Sequence, residues 1–221
     1  MLPAPLPPPV APLYRVGWPP DPLAWPEWRH VGRNRFDDPE NRTRVLYLAE
    51  QRHACFAEIL AKFYLKDPQL IAALRAMPPG APAAPAPAIT SGVIAPGFFG
   101  RPMGALRLRP GQNWLDLRSL ENHIALYELL IDDLDLHGYG EVQMDLSDVT
   151  TRDRNLTQRI SRWAISNGYQ GIAYTSRLSH AFDCWALFES AVFDRADDPR
   201  QITEDDPELL RVVGWLGLTI P

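Results

Sequence analysis

Proline limits this chain more than any other residue. Pro makes up 23 of its 221 residues, and they fall in clusters. A prolyl ring fixes φ and removes a backbone donor, so each cluster closes off helix interiors and central strands. MLPAPLPPPVAP, residues 1–12, therefore reads as an extended or disordered lead-in. PPGAPAAPAPA, residues 78–88, reads as a linker or surface excursion inside the domain. Regular structure is confined to what lies between.

There, apolar spacing marks the elements. PLYRVGW (12–18), RVLYLA (44–49), MGALRLR (103–109), NWLDL (113–117), GIAYTS (171–176) and CWALFE (184–189) read as strands. In the second of these, Val45 and Tyr47 alternate with Leu46 and Leu48. RHACFAEILAKFYL (52–65) and SLENHIALYELLIDDL (119–134) read as helices, the latter with Leu120, Ile124, Tyr127 and Leu130 at helical spacing. DRNLTQRISRWAISNG (153–168) is another, with Asp153 as its N-cap and Gly168 at its C-terminus. Strands and helices follow one another without regular alternation, which points to an α+β domain. After about residue 193 the chain turns acidic and ends in a short amphipathic segment, DPELLRVVGWLG. The expected organisation is a lead-in at 1–12, a domain at 13–192 and an acidic extension with a short helix at 193–221.

Charge and cysteine usage narrow the function classes. A net charge of −5 weighs against a direct nucleic-acid partner. Nearly all the cations are Arg, with Lys62 and Lys66 the exceptions. Arg is the side chain suited to bidentate phosphate contacts. Cys55 and Cys184 lie in apolar runs and read as buried thiols. The five His are scattered without metal-ligand spacing, so no metal site is expected. No apolar run reaches the ~20 residues of a membrane span, and the N-terminus lacks the pattern of a signal peptide. The cytoplasm is the expected location.

One carboxylate stands out. Glu58 sits in ACFAEIL with apolar neighbours on both sides. On a helical wheel Cys55, Phe56, Ile59, Leu60 and Phe63 share a face, and Glu58 lies off it near Lys62. A surface pair with Lys62 explains that placement, and so does a ligand approaching past Ala54 and Ala61. Arg15 in LYRVGW and Arg35 in GRNRFDD are cations in apolar or aromatic settings, and Ser176 ends the strand GIAYTS. Arg154, Arg159 and Arg162 give one helix a basic face, expected to be solvated. Trp18, Trp25 and Trp28 either present a partner surface or pack the lead-in onto the domain.

An early arginine, a glutamate on the first long helix and a late serine resemble the RES domain family. The text that carries the resemblance is LYR (13–15), GRNRF (32–36), VLYLAE (45–50), ACFAEIL (54–60) and GIAYTSR (171–177), with CWALFE closing. It spans residues 13–189. From Arg35 the chain reads RFDDPENRTR, where the family often continues past the Arg-aromatic pair with Asn, Pro and Gly. The resemblance implies an ADP-ribosyltransferase-like fold, a mixed β core with flanking helices. It also implies the toxin of a RES–Xre type toxin–antitoxin pair, acting on NAD, with an antitoxin as protein partner. Glu58, Arg15 and Ser176 would then be catalytic, and Arg15, Arg35, Tyr47 and Ser176 would bind NAD, with Arg177 nearby. Water or inorganic phosphate as acceptor gives a glycohydrolase or phosphorylase. A protein acceptor gives a mono-ADP-ribosyltransferase. A non-catalytic interaction module on the same fold is the remaining alternative.

Overall fold

A computed structural model describes residues 2–64, 92–135 and 154–221. The Pro/Ala-rich run 78–88 and the expected N-cap Asp153 lie outside the described residues.

The described strands form one sheet of eight. They are β1 (Pro5–Leu6), β2 (Leu13–Val16), β3 (Val45–Ala49), β4 (Pro102–Leu108), β5 (Trp114–Asp116), β6 (Gly171–Thr175), β7 (Asp183–Phe188) and β8 (Phe193–Gln201). Their order across the sheet is β1-β5-β6-β7-β3-β2-β4-β8. The β5–β6 pair is parallel and every other pair is antiparallel. A parallel pair needs a long crossover, and residues 117–170 supply it. That crossover carries α2 (Leu120–Asp135) and α3 (Arg154–Ser166), while α1 (Arg52–Tyr64) follows β3 and α4 (Pro207–Leu216) closes the chain.

Alternation explains which side chains go where. Val45, Tyr47 and Ala49 of β3, with Cys184, Ala186 and Phe188 of β7, face a core shared with all four of these helices. Leu46 and Leu48, with Trp185 and Leu187, face a second core where Trp114 and Trp185 meet edge-on at 5.5 Å. Strands apolar on both faces read as continuous runs, as CWALF does. This is the α+β architecture expected from the sequence.

The two segments that read as lying outside the domain form its two sheet edges. β1 pairs with β5 at Pro5 and Leu6, a place where proline costs no ladder bond. Asn122 fixes the backbone of Ala4 from both sides, and the Tyr169 hydroxyl donates to Pro3 O at 2.9 Å. β8 pairs with β4 through an irregular register, and its FDRADDPRQ is mostly exposed. Charge, proline and a bulge are the usual means of blunting an edge strand, and they also hide the strand from a periodicity reading. Helix ends follow local chemistry. At α3, Gly168 has φ +76, its N–H donates to Ile165 O, and Tyr169 N–H reaches back to Ala164 O at 3.0 Å. That is a Schellman cap, which a glycine adopts without a Cβ clash. Among the described residues no helix is long and apolar enough to cross a membrane.

Candidate active site

The sheet opens between β2 and β3. They pair at one position, Tyr14 with Ala49. Beyond it, Arg15 and Val16 on one strand and Tyr47 and Leu48 on the other line a cleft of about 610 Å³. Alternation would turn Arg15 and Leu48 toward the side that holds Leu13 and Leu46. Because the ladder stops, both can border the cleft. Among the described residues, five arginines line it (Arg15, Arg35, Arg101, Arg154 and Arg177) beside a single carboxylate, Glu58. In a chain of net charge −5 that concentration of cations marks an anion site.

Glu58 lies in the second turn of α1. Ala54, Phe56, Ala57 and Leu60 bury the helix against the sheet, leaving Glu58 to project off that face into the cleft. Ser176, directly after β6, donates its hydroxyl to Glu58 Oε1 and accepts from Leu178 N–H at 3.0 Å. Ser176 is 1% exposed, so its hydroxyl is placed to orient the carboxylate.

Arg35 sits on an aromatic base. Its guanidinium lies 5.2 Å from the Phe36 ring centroid and 5.3 Å from that of Tyr174. Its Nε and Nη2 are buried without a hydrogen-bond partner, the condition of a donor group waiting for an acceptor. Burial lowers its pKa, Tyr174 and Glu58 pull it up, and Arg177 adds to the depression. The loop bearing it is held from three directions. Buried Asp37 accepts from the N–H groups of Arg33 and Asn34, each at 2.9 Å. The Tyr47 hydroxyl donates to Asp37 at 2.8 Å and accepts from Phe36 N–H at 2.9 Å. From α3, Thr157 donates to Arg35 O at 2.6 Å and Gln158 to Asn34 O at 2.8 Å. Buried Asp38 fixes the following turn through Glu40 and Arg42 N–H. The FDD text after Arg35 is thus a self-capped loop.

On the opposite wall, Arg15 donates to Pro22 O. Burial, with repulsion from Arg101, lowers its pKa to about 10, so it stays charged at neutral pH. Arg101, 8% exposed, donates Nε to Gly17 O at 2.9 Å and Nη2 to Val16 O at 3.2 Å. Cys55 and Cys184 are free thiols that also border the cleft. Burial pushes Cys55 up to about 12 and Cys184 well above its ordinary range, so neither is a thiolate nucleophile.

A family model of the RES domain matches residues 12–211. The chain belongs to the RES domain family. The fold of this RES domain is also similar to a chain in the crystal structure of the M. tuberculosis MbcT–MbcA toxin–antitoxin complex. The TM-score is 0.52 at 13% identity, over 90% of this chain and 83% of that one. At such low identity the likeness speaks for the fold alone. No curated protein matches the sequence significantly.

The RES domain brings Arg15, Arg35, Tyr47 and Glu58 to one cleft, with Ser176 bonded to Glu58 from behind. Arg177 joins them. Two expectations are refined. The Tyr47 hydroxyl is engaged by Asp37 and Phe36, leaving its ring to line the cleft. The basic face of α3 is not wholly a solvated face: Arg154 lines the cleft, while Arg162 pairs with Glu40. The sequence reading missed Arg101 and Tyr174. Tyr174 shares strand parity with Ser176 two residues on, a signal that was available. Arg101, in GRP ahead of β4, carried none.

Proposed function

We propose that this RES domain consumes NAD by cleaving the bond between nicotinamide and its ribose, as the toxin of a toxin–antitoxin pair acting in the cytoplasm. One observation carries the reading: a lone carboxylate, Glu58, oriented by Ser176 within a cleft otherwise charged by arginines. Membership of the RES family and the likeness to a chain of a toxin–antitoxin complex support it.

The chemistry suits that arrangement. As the glycosidic bond breaks, its electron pair leaves with neutral nicotinamide and positive charge grows on the ribose. An ionised carboxylate beside that ribose stabilises the charge where it develops. Glu58 fills this role, and Ser176 fixes the direction of its lone pairs. Arg35, with buried unpartnered nitrogens, and Arg15, on the other wall, hold the pyrophosphate through planar N–H donors. Tyr47 holds the Arg35 loop and presents its ring.

Incubation of the purified protein with NAD, with and without inorganic phosphate, tests the reading by mass spectrometry. Free nicotinamide is expected in both. ADP-ribose as co-product identifies water as acceptor, a phosphorylated ADP-ribose identifies phosphorolysis, and a labelled protein band in lysate identifies transfer. Nicotinamide that never exceeds the enzyme-free control in any arm would reject NAD cleavage. Co-purification of the protein encoded alongside it tests the antitoxin partner.

A further inference from the structure

We propose that Trp18 and Arg101 form the subsite for the adenosine-phosphate half of the dinucleotide, with adenine stacked on the indole. The assignment rests on the reading of the cleft as an NAD site.

Sheet order sets the two ends of the cleft apart. Glu58 is tied by Ser176 to the end of β6. Arg101 immediately precedes β4, four strands away in the order β6-β7-β3-β2-β4. At ~4.8 Å per strand step that separation is on the order of 19 Å. A dinucleotide with its nicotinamide ribose at Glu58, and its pyrophosphate across Arg35 and Arg15, delivers its other nucleoside toward Arg101. There Trp18, just outside the lining residues, stands 65% exposed beside Arg101, which does line the cleft. The Arg101 guanidinium lies 4.4 Å from its ring centroid. Arg101 is in turn held by the carbonyls of Val16 and Gly17, and Gly17 N–H bonds Pro102 O at 3.0 Å. The indole is therefore a supported platform, with a cation beneath it to meet the adjacent phosphate. Trp28 offers a contrast. It is exposed over Arg44, but Arg44 is ion-paired with Glu189 and, unlike Arg101, does not line the cleft.

Trp18→Ala and Trp18→Phe separate this from a surface role. Trp18→Ala is expected to raise KM for NAD about ten-fold, at the low end of the loss when a base-stacking aromatic is removed. Trp18→Phe, which keeps a ring, should recover most of that. The rise should shrink sharply on nicotinamide mononucleotide, which lacks the adenosine. Calorimetric titration with AMP reads the same subsite without turnover, and Trp18→Ala should weaken AMP binding by a similar factor. Unchanged thermal melting in the variants confirms folding. If wild-type protein cleaves NAD while Trp18→Ala leaves both KM and AMP affinity within about two-fold of wild type, the platform is rejected and the reaction stands. If wild-type protein binds AMP through Trp18 but releases no nicotinamide, the reaction is rejected and the platform stands. No AMP binding by wild-type protein rejects the platform.

Discussion

Ser176 lies 118 residues from Glu58 in the chain, yet its hydroxyl donates to Glu58 Oε1. Replacing the carboxylate and replacing its support should therefore have graded effects. Glu58→Gln keeps shape and removes charge, so nicotinamide release should fall by about 10²–10³ in kcat, with melting unchanged because the side chain is exposed. Ser176→Ala should lose roughly ten-fold in kcat, and stability of about 1 kcal/mol, since Leu178 N–H also loses its acceptor. Wild-type turnover in Ser176→Ala would detach Ser176 from the chemistry. Arg15 makes a pH prediction. With its pKa lowered to about 10 by burial and Arg101, its charge opposes folding below that pH. The unfolded chain keeps the proton to higher pH, so this penalty eases as pH rises through about 10. Ligand binding has the opposite sign, because an anion binds the protonated form. Affinity for ADP-ribose should weaken between about pH 8 and about pH 11. Over that span burial holds Cys55 at about 12, and Tyr47 and Tyr174 well above their ordinary value, so these stay neutral. Equal dissociation constants at both pH values would show that Arg15 does not face the anion.

Local elements were mostly legible from spacing. The strands at 44–49, 171–176 and 184–189 and the helix from residue 52 appear within a residue or two of their expected ends, because each pairs a clear period with a clear stop. β8 was not legible: an edge strand gains its order from β4 and needs no apolar alternation of its own. The Arg35 loop was legible as a departure from the family pattern, but not as a structure. Its conformation comes from Asp37 within the loop, Tyr47 on β3 and Thr157 on α3. Asp37→Ala leaves Arg33 N–H, Asn34 N–H and the Tyr47 hydroxyl without this acceptor. It should cost about 1–3 kcal/mol and, by loosening Arg35, raise KM for NAD more than it lowers kcat. Thermal melting and steady-state kinetics together check this. A destabilised variant with an unaltered KM would make the loop a structural element alone.

At the scale of the whole molecule, an acidic chain concentrates five arginines in one cleft. Bringing like charges together opposes folding, so an anionic ligand should stabilise the chain strongly. ADP-ribose at about a hundred times its dissociation constant should add about 2.7 kcal/mol, roughly 5–10 °C in Tm for a domain of this size. The affinity behind that shift should fall as salt rises from about 0.05 M to about 0.5 M, since screening weakens each guanidinium contact. Salt-independent binding would mean the arginines are not in contact with the anion. The sequence by itself determined the α+β class, because local periodicity is written in the chain, and its resemblance to the RES domain supplied the candidates Arg15, Arg35, Tyr47, Glu58 and Ser176. Only the tertiary structure decided what surrounds them. It ended the β2–β3 ladder after one pair, turned Ser176 toward Glu58, engaged the Tyr47 hydroxyl with Asp37, and brought Arg101 and Arg154 into the cleft. Those are contacts between residues distant in the chain, and spacing along a chain carries no information about which strands stop pairing.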